Sequence, residues 1–253
     1  MTTRSRWDAG SQIFFEDAKM ETVAAMAPVQ FSEEFIGAGH SAGFPTSATA
    51  GYAWIKKIVG AAPPTAALVA NGAAGVAQLA LTSTSEKQEA TLYFADNLAL
   101  DVTKKLQAEF TAALTVAPSA ASVQAVFGLA QAWADGPDNI ARYLEFGFTA
   151  NNTLLLRSYD GTTFYSVIAA LRATPTVAIA ADANPHLYRI DASDLTDIGF
   201  YFDGNRVNAQ GSVAWSASAS NSKTQVYQSV YKPSGTGVAT LQIDRVDVWA
   251  NRS

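Results

Sequence analysis

Residues 186–207 constrain this chain more than any other stretch, because their polarity alternates with a period of two and then breaks at a turn. Leu187, Arg189 and Asp191 fall on one side of an extended chain, and Tyr188 and Ile190 on the other. Ile198, Phe200 and Phe202 repeat that period. Asp203-Gly204 then supplies the positive-φ positions of a tight hairpin. A chain with this pattern forms paired β-strands.

The same reading extends along the sequence. Strands are predicted over 29–36, 52–59, 67–72 running into an Asn71-Gly72 turn, 75–82, 89–95, 105–116 and 124–130. Further strands are predicted over 143–149, 153–159, 164–168 and 237–250, with Asp160-Gly161 as a second hairpin signal. Pro63-Pro64 interrupts a ladder, since proline donates no hydrogen bond. In 105–116, Leu106, Ala108, Phe110 and Ala112 share one face and Gln107, Glu109 and Thr111 the other. In the last strand the apolar phase shifts between Leu241/Ile243 and Val246/Val248, which predicts a bulge at Asp244-Arg245. With no amphipathic helix and no internal repeat, the class is all-β.

Residues 1–30 read differently. Trp7, Ile13, Phe14, Phe15, Met20, Val23 and Met26 follow no single period. A short hairpin of 12–16 and 21–23 around 17–19, then a linker bounded by Pro28, is expected. The chain therefore divides into an arm, 1–30, and a β-sandwich, 31–253. The arm has two possible berths, its own domain or a neighbouring subunit, where Trp7, Phe14 and Phe15 would be the contact residues.

Composition narrows the function classes. The net charge is -5 and there is no basic block, so nucleic acid is not an expected partner. The absence of cysteine excludes disulfides and thiol chemistry and fits a protein made in a reducing cytoplasm. The N-terminus lacks the apolar core of a signal peptide, and no run approaches the ~18 apolar residues of a membrane span, so no membrane partner is expected. Charged residues make up only 15 %, so the surface is either rich in small polar groups or partly covered by neighbours.

Three segments carry a family resemblance: Asn184 to Asp191, the aromatic-x-Asp-Gly end Phe200-Tyr-Phe-Asp-Gly204, and the closing strand Leu241-Gln-Ile-Asp-Arg-Val-Asp-Val-Trp249. Together they resemble the concanavalin A-like jelly-roll family, which includes laminarinases and laminin G-like domains. The whole chain is also similar to a set of tailed-bacteriophage proteins, through Arg6-Trp7-Asp8, Phe14-Phe15, Ala27-Pro28-Val29, Asp244 to Trp249 and Arg252. That resemblance implies a virion structural protein: a capsid decoration or minor capsid protein on the head surface, made in the host cytoplasm. Its expected partners are the major capsid protein and sister copies, with a homotrimer as the expected assembly.

Candidate chemistry is sparse. Laminarinase-type catalysis would need paired carboxylates about 5–5.5 Å apart on one strand face, as Glu-x-Asp-x-x-Glu. At 143–149 the chain keeps Glu145 but places Gly147 and Ala150 where the partners would stand, so no catalytic residues are expected. Glu33-Glu34 lie on opposite faces of a strand and read as a solvated edge. His40 and His186 have no metal-ligand spacing and read as structural or surface residues. The family resemblance implies a structural calcium site as a minor alternative, with Asp244 and Glu33 or Glu34 as ligands; no other cofactor is expected. The alternative function is lectin-like carbohydrate binding on a tail or fibre, with Trp133, Asp135 and Asn139 as the site and Tyr159, Tyr165, Trp215 and Tyr227 as further aromatics.

Overall fold

A computed structural model describes residues 3–8, 11–16, 20–36, 54–72, 75–150, 153–170, 179–180, 182–218 and 220–252. His40 lies outside them. The strands are β1 (Thr3–Asp8), β2 (Ser11–Glu16), β3 (Thr22–Met26), β4 (Val29–Glu33), β5 (Ile55–Val59), β6 (Thr65–Leu68) and β7 (Ala77–Ala80). They continue as β8 (Gln88–Tyr93), β9 (Leu100–Asp101), β10 (Leu106–Val116), β11 (Gln124–Ala130), β12 (Tyr143–Phe148) and β13 (Leu154–Tyr159). The last six are β14 (Phe164–Ile168), β15 (His186–Ala192), β16 (Gly199–Phe202), β17 (Asn205–Arg206), β18 (Lys223–Lys232) and β19 (Thr240–Ala250). Among the described residues the only helical pieces are two 3₁₀ turns, Val102–Lys104 and Pro137–Asn139.

Two eight-stranded antiparallel sheets form a jelly-roll sandwich. Sheet I has the order β17-β16-β15-β10-β19-β7-β6, with β4 also on β19. Sheet II has the order β14-β13-β12-β11-β18-β8-β5, with β9 on β18. The inner faces meet in an aromatic core: Phe127 lies 5.6 Å from Phe110, 5.6 Å from Phe146 and 4.9 Å from Tyr188. The alternation read in 186–192 and 105–116 is the reason. Tyr188, Ile190, Leu106, Ala108, Phe110 and Ala112 all enter this core.

The local turn chemistry follows the sequence. Asp203 (φ 44°) and Gly204 (φ 77°) turn β16 into β17, both in the left-handed region that a two-residue hairpin needs. The bulge falls where it was predicted: Thr111 pairs with Arg245 and Ala112 with Ile243, leaving Asp244 as the extra residue. It marks a change of neighbour, because β19 pairs with β7 over Thr240–Ile243 and with β4 over Val246–Ala250.

The arm forms a third sheet, β1-β2-β3, in which β2 and β3 are the expected hairpin and β1 was not foreseen. Its packing on the chain's own sheet I is direct. The Thr22 backbone N–H donates to Glu109 Oε2 at 3.0 Å, and Glu21 lies 3.7 Å from Arg245. Within the arm Ile13 and Phe15 are buried and Phe14 is half-buried. The Trp7 backbone pairs with Gln12 in β1–β2, and its side chain lies outside the description.

Candidate functional site

The outer face of sheet II collects the chain's most chemically capable side chains. Register places Gly128, Glu145 and Arg157 side by side on β11, β12 and β13, with Tyr227 of β18 on the other flank of Gly128. One row along, Ser229 pairs with Thr91 of β8, and Glu89 follows on the same face.

This face is closed by the chain itself. The β11–β12 connection, residues 131–142, folds back over it. Ile140 is buried with Tyr93, Val126, Ala130, Tyr143 and Tyr227, and Trp133 packs against the same cluster. The connection is pinned at several points. Trp133 donates its backbone N–H to Asp96 at 2.6 Å and its indole N–H to Glu89 at 2.8 Å. Gly136 donates to the other Glu89 oxygen at 3.3 Å. Lys57 sits 4.6 Å above the Trp133 ring. Asp138 reaches over the edge to pair with Arg157.

Beneath this cover lie two carboxylates. Glu89 is fully buried and satisfied: besides Trp133 and Gly136 it accepts from the Thr91 hydroxyl at 2.8 Å and the Tyr227 hydroxyl at 3.3 Å. Glu145 is buried 3.2 Å from the Arg157 guanidinium, in a pair whose geometry makes no hydrogen bond to either carboxylate oxygen. Burial pushes its pKa up to about 7, and nearby Asp138 adds to that, outweighing the opposing pull of Arg157. Arg157 itself is driven further towards its charged form by Glu145 and Tyr143.

A carboxyl titrating near neutrality has the acidity of a general acid, but Glu145 has neither access nor partner. At Gly147, where a second strand carboxylate would stand, a β-carbon would lie 3.1 Å from Arg157 Cδ; the arginine stem occupies that place. Gly128 likewise lies against the Glu145 backbone, and a β-carbon there would sit 2.6 Å from Glu145 Cα. The glycines make room for a buried ion pair rather than for a substrate.

The other residues singled out in the sequence are scattered. Glu33 is not a solvated edge group: it is buried and accepts from Phe35 N–H at 2.7 Å and Trp54 Nε1–H at 3.3 Å. It pairs with Val246, a core residue, whereas Asp244 is flanked by Glu21, Glu34 and Arg245. Glu33 and Asp244 therefore do not converge, and among the described residues no group of three or more His, Asp or Glu is placed to hold a metal ion. His186 is structural: Nδ1 lies 2.7 Å from Asp203 and Nε2 3.2 Å from Asp182, and its ring packs on Phe202. Asp135 and Asn139 are exposed on the covering connection, Asp135 paired with Lys87 at 2.6 Å. Trp133 is half-buried, while Trp215 and Tyr227 are buried and offer no platform; Tyr159 and Tyr165 are half-buried.

Sequence reasoning missed a second buried pair, on sheet I. Glu109 is buried 3.9 Å from Arg189, whose guanidinium lies 4.2 Å above the Tyr201 ring. Burial pushes Glu109 up to about 7 against the pull of Arg189 and the Thr22 hydrogen bond. The alternation placed Glu109 on the outer face; nothing in the sequence showed that the arm would bury that face.

No protein-family model and no curated protein sequence matches the chain. Solved structures do match it in shape. A β-1,3-1,4-glucanase (lichenase) derived from a mouse hindgut metagenome aligns with a TM-score of 0.56 at 12% identity, covering 88% of this chain and 99% of that one. The Bacillus licheniformis β-glucanase aligns at 0.53 and 15% identity, over 88% and 98% of the two chains. The Emp47p carbohydrate recognition domain aligns at 0.52 and 14% identity, over 78% and 88%. At these identities the likeness speaks for the fold: a concanavalin A-like jelly-roll sandwich.

Proposed function

We propose that this chain is a non-enzymatic structural subunit of a tailed-bacteriophage particle, a decoration or minor capsid protein that binds and stabilises the head shell. The observation that carries the non-enzymatic part is the closed outer face of sheet II, where Glu145 is sealed under residues 131–142 and its strand partner is replaced by Gly147. The particle comes from the sequence resemblance, and a surface of low charge suits a subunit largely covered by neighbours. In this reading the arm is the attachment element. Its berth on sheet I is polar and imperfectly satisfied, with both side-chain polar atoms of Gln107 and the Thr111 hydroxyl lacking hydrogen-bond partners, so a shell subunit can compete for it. The test is to band intact particles on a density gradient and quantify this chain against the major shell protein. Hundreds of copies support the reading, a handful moves the protein to the tail, and absence overturns it.

A second reading, a carbohydrate-binding module, is favoured by the exposed Asp135 and Asn139 beside half-buried Trp133, and by glycan-directed proteins among the structural neighbours. Binding on a glycan array that is lost in Asp135→Ala/Asn139→Ala would promote it.

A further inference from the structure

Among the described residues each sandwich sheet has three edge strands, β17, β6 and β4 in sheet I and β14, β5 and β9 in sheet II, and five of the six are guarded; β4 follows Pro28 and ends in Glu33, and β9 has two residues, one of them Asp101. An unprotected edge presents free backbone groups on which another strand can pair, and charges, prolines or short length discourage that. At one end of sheet II, β5 carries Lys56 and Lys57. At the ends of sheet I, β6 follows Pro63-Pro64, and β17 has two residues, one of them Arg206. The sixth edge, β14, has none of these devices. Its sequence is Phe164-Tyr-Ser-Val-Ile168, and residues 161–171 contain no charge. Phe164, Val167 and Ile168 are 61%, 37% and 52% exposed, half of the large apolar side chains that the described surface leaves open. The edge is also approachable, since a cavity of about 380 Å³ lies between Tyr165, Val167 and Ile168 and the segment 206–210.

We propose that β14 is a homotypic interaction surface, on which a second copy of this chain adds its own β14 antiparallel across a two-fold axis through Ser166. The strand's order of residues argues for a second copy over an unrelated segment. In that register Ser166 faces Ser166 of the other copy, Tyr165 faces Val167, and Phe164 faces Ile168. Every off-axis pair is then aromatic against β-branched, a combination that stabilises antiparallel ladders, and no like charges meet. The two sheets II become one continuous sheet. Only a five-residue strand is shared, less than the roughly 1,200 Å² of a standard interface, so the dimer forms and dissociates with concentration. This contact does not depend on the particle reading above.

Sedimentation equilibrium between about 10 µM and 1 mM, where weak pairs of this size associate, tests the proposal. The wild-type chain is expected to rise from 26.7 kDa towards twice that mass, and Val167→Lys to stay monomeric. The absence of native cysteine allows a second readout. Ser166→Cys, an exposed and conservative change, should form a disulfide dimer on mild oxidation. Phe164→Cys should not, because its two copies would lie well beyond the ~7 Å Cα reach of a disulfide. A wild-type chain that stays monomeric at the highest concentration overturns the proposal. So does a dimer that survives Val167→Lys, or cross-linking at 164 as readily as at 166.

Discussion

Glu145 and Glu109 give the molecule its own pH dependence. Both are held near 7 by burial, above the ordinary carboxylate value of 4.5. A raised acid binds its proton more tightly in the folded state than in the unfolded one. The folded state is therefore favoured below about pH 4.5, and that advantage is lost as pH rises towards 7. Each residue is expected to contribute a decline on the order of 2 kcal/mol across that window. Chemical denaturation of wild type and Glu145→Gln should give similar stabilities at pH 5 and a variant favoured at pH 8; a constant difference across the range would refute this. The buried pair is thus a weak source of stability, because charge burial costs about as much as pairing returns. Trp133 is a structural clasp, with its indole on Glu89 and Lys57 on its ring. Trp133→Ala should lower stability by about 2–3 kcal/mol, read by urea melts, since it removes a large side chain and leaves a buried Glu89 oxygen short of one donor.

Among the elements, legibility followed the alternation of apolar and polar side chains. β10, β15 and β16, with apolar side chains at their inward positions and mostly polar ones outward, were read from alternation alone. The central strand β18 was missed. Val226 and Val230 point into the core but share their face with the buried Thr224, Gln228 and Lys232, the last donating to the Thr82 and Thr84 carbonyls, while Tyr227 is buried on the other face beneath residues 131–142, so no apolar period of two survives. β1 was missed because Arg4, Ser5 and Arg6 give it no apolar face to recognise. The candidate site was half legible. Glu145 and its missing partner at Gly147 were plain from spacing, but Glu89 and Arg157 arrive by long-range pairing that a single sequence does not encode locally. The arm provides an element-scale prediction. Glu109→Leu removes the acceptor of Thr22 N–H and should release the arm, seen as faster tryptic cleavage at Arg4, Arg6 or Lys19 with the sandwich still folded. Unchanged cleavage would show that the arm is held elsewhere.

At the scale of the whole molecule, the described residues leave one sheet face sealed by its own connection, one covered by its own arm, and one edge open. Association through the open edge or an exchanged arm has a surface to use among these. Deleting residues 1–26 should expose Gln107, Glu109 and Thr111 while preserving the two-sheet core, so circular dichroism should keep its β signature; on the particle reading proposed above, particle binding should fall. If the truncated chain binds particles as fully as wild type, the arm is not the attachment element. The bulge at Asp244 has one more consequence. On either side of it β19 joins β7 and β4, and Val29 is paired with Ala250, so the sandwich is closed by its final strand. During synthesis sheet I can complete itself only after β19 has left the ribosome, and such long-range pairing makes refolding slow, in the range of milliseconds to seconds. Until β19 emerges, a nascent chain of this protein waits with its sandwich unclosed.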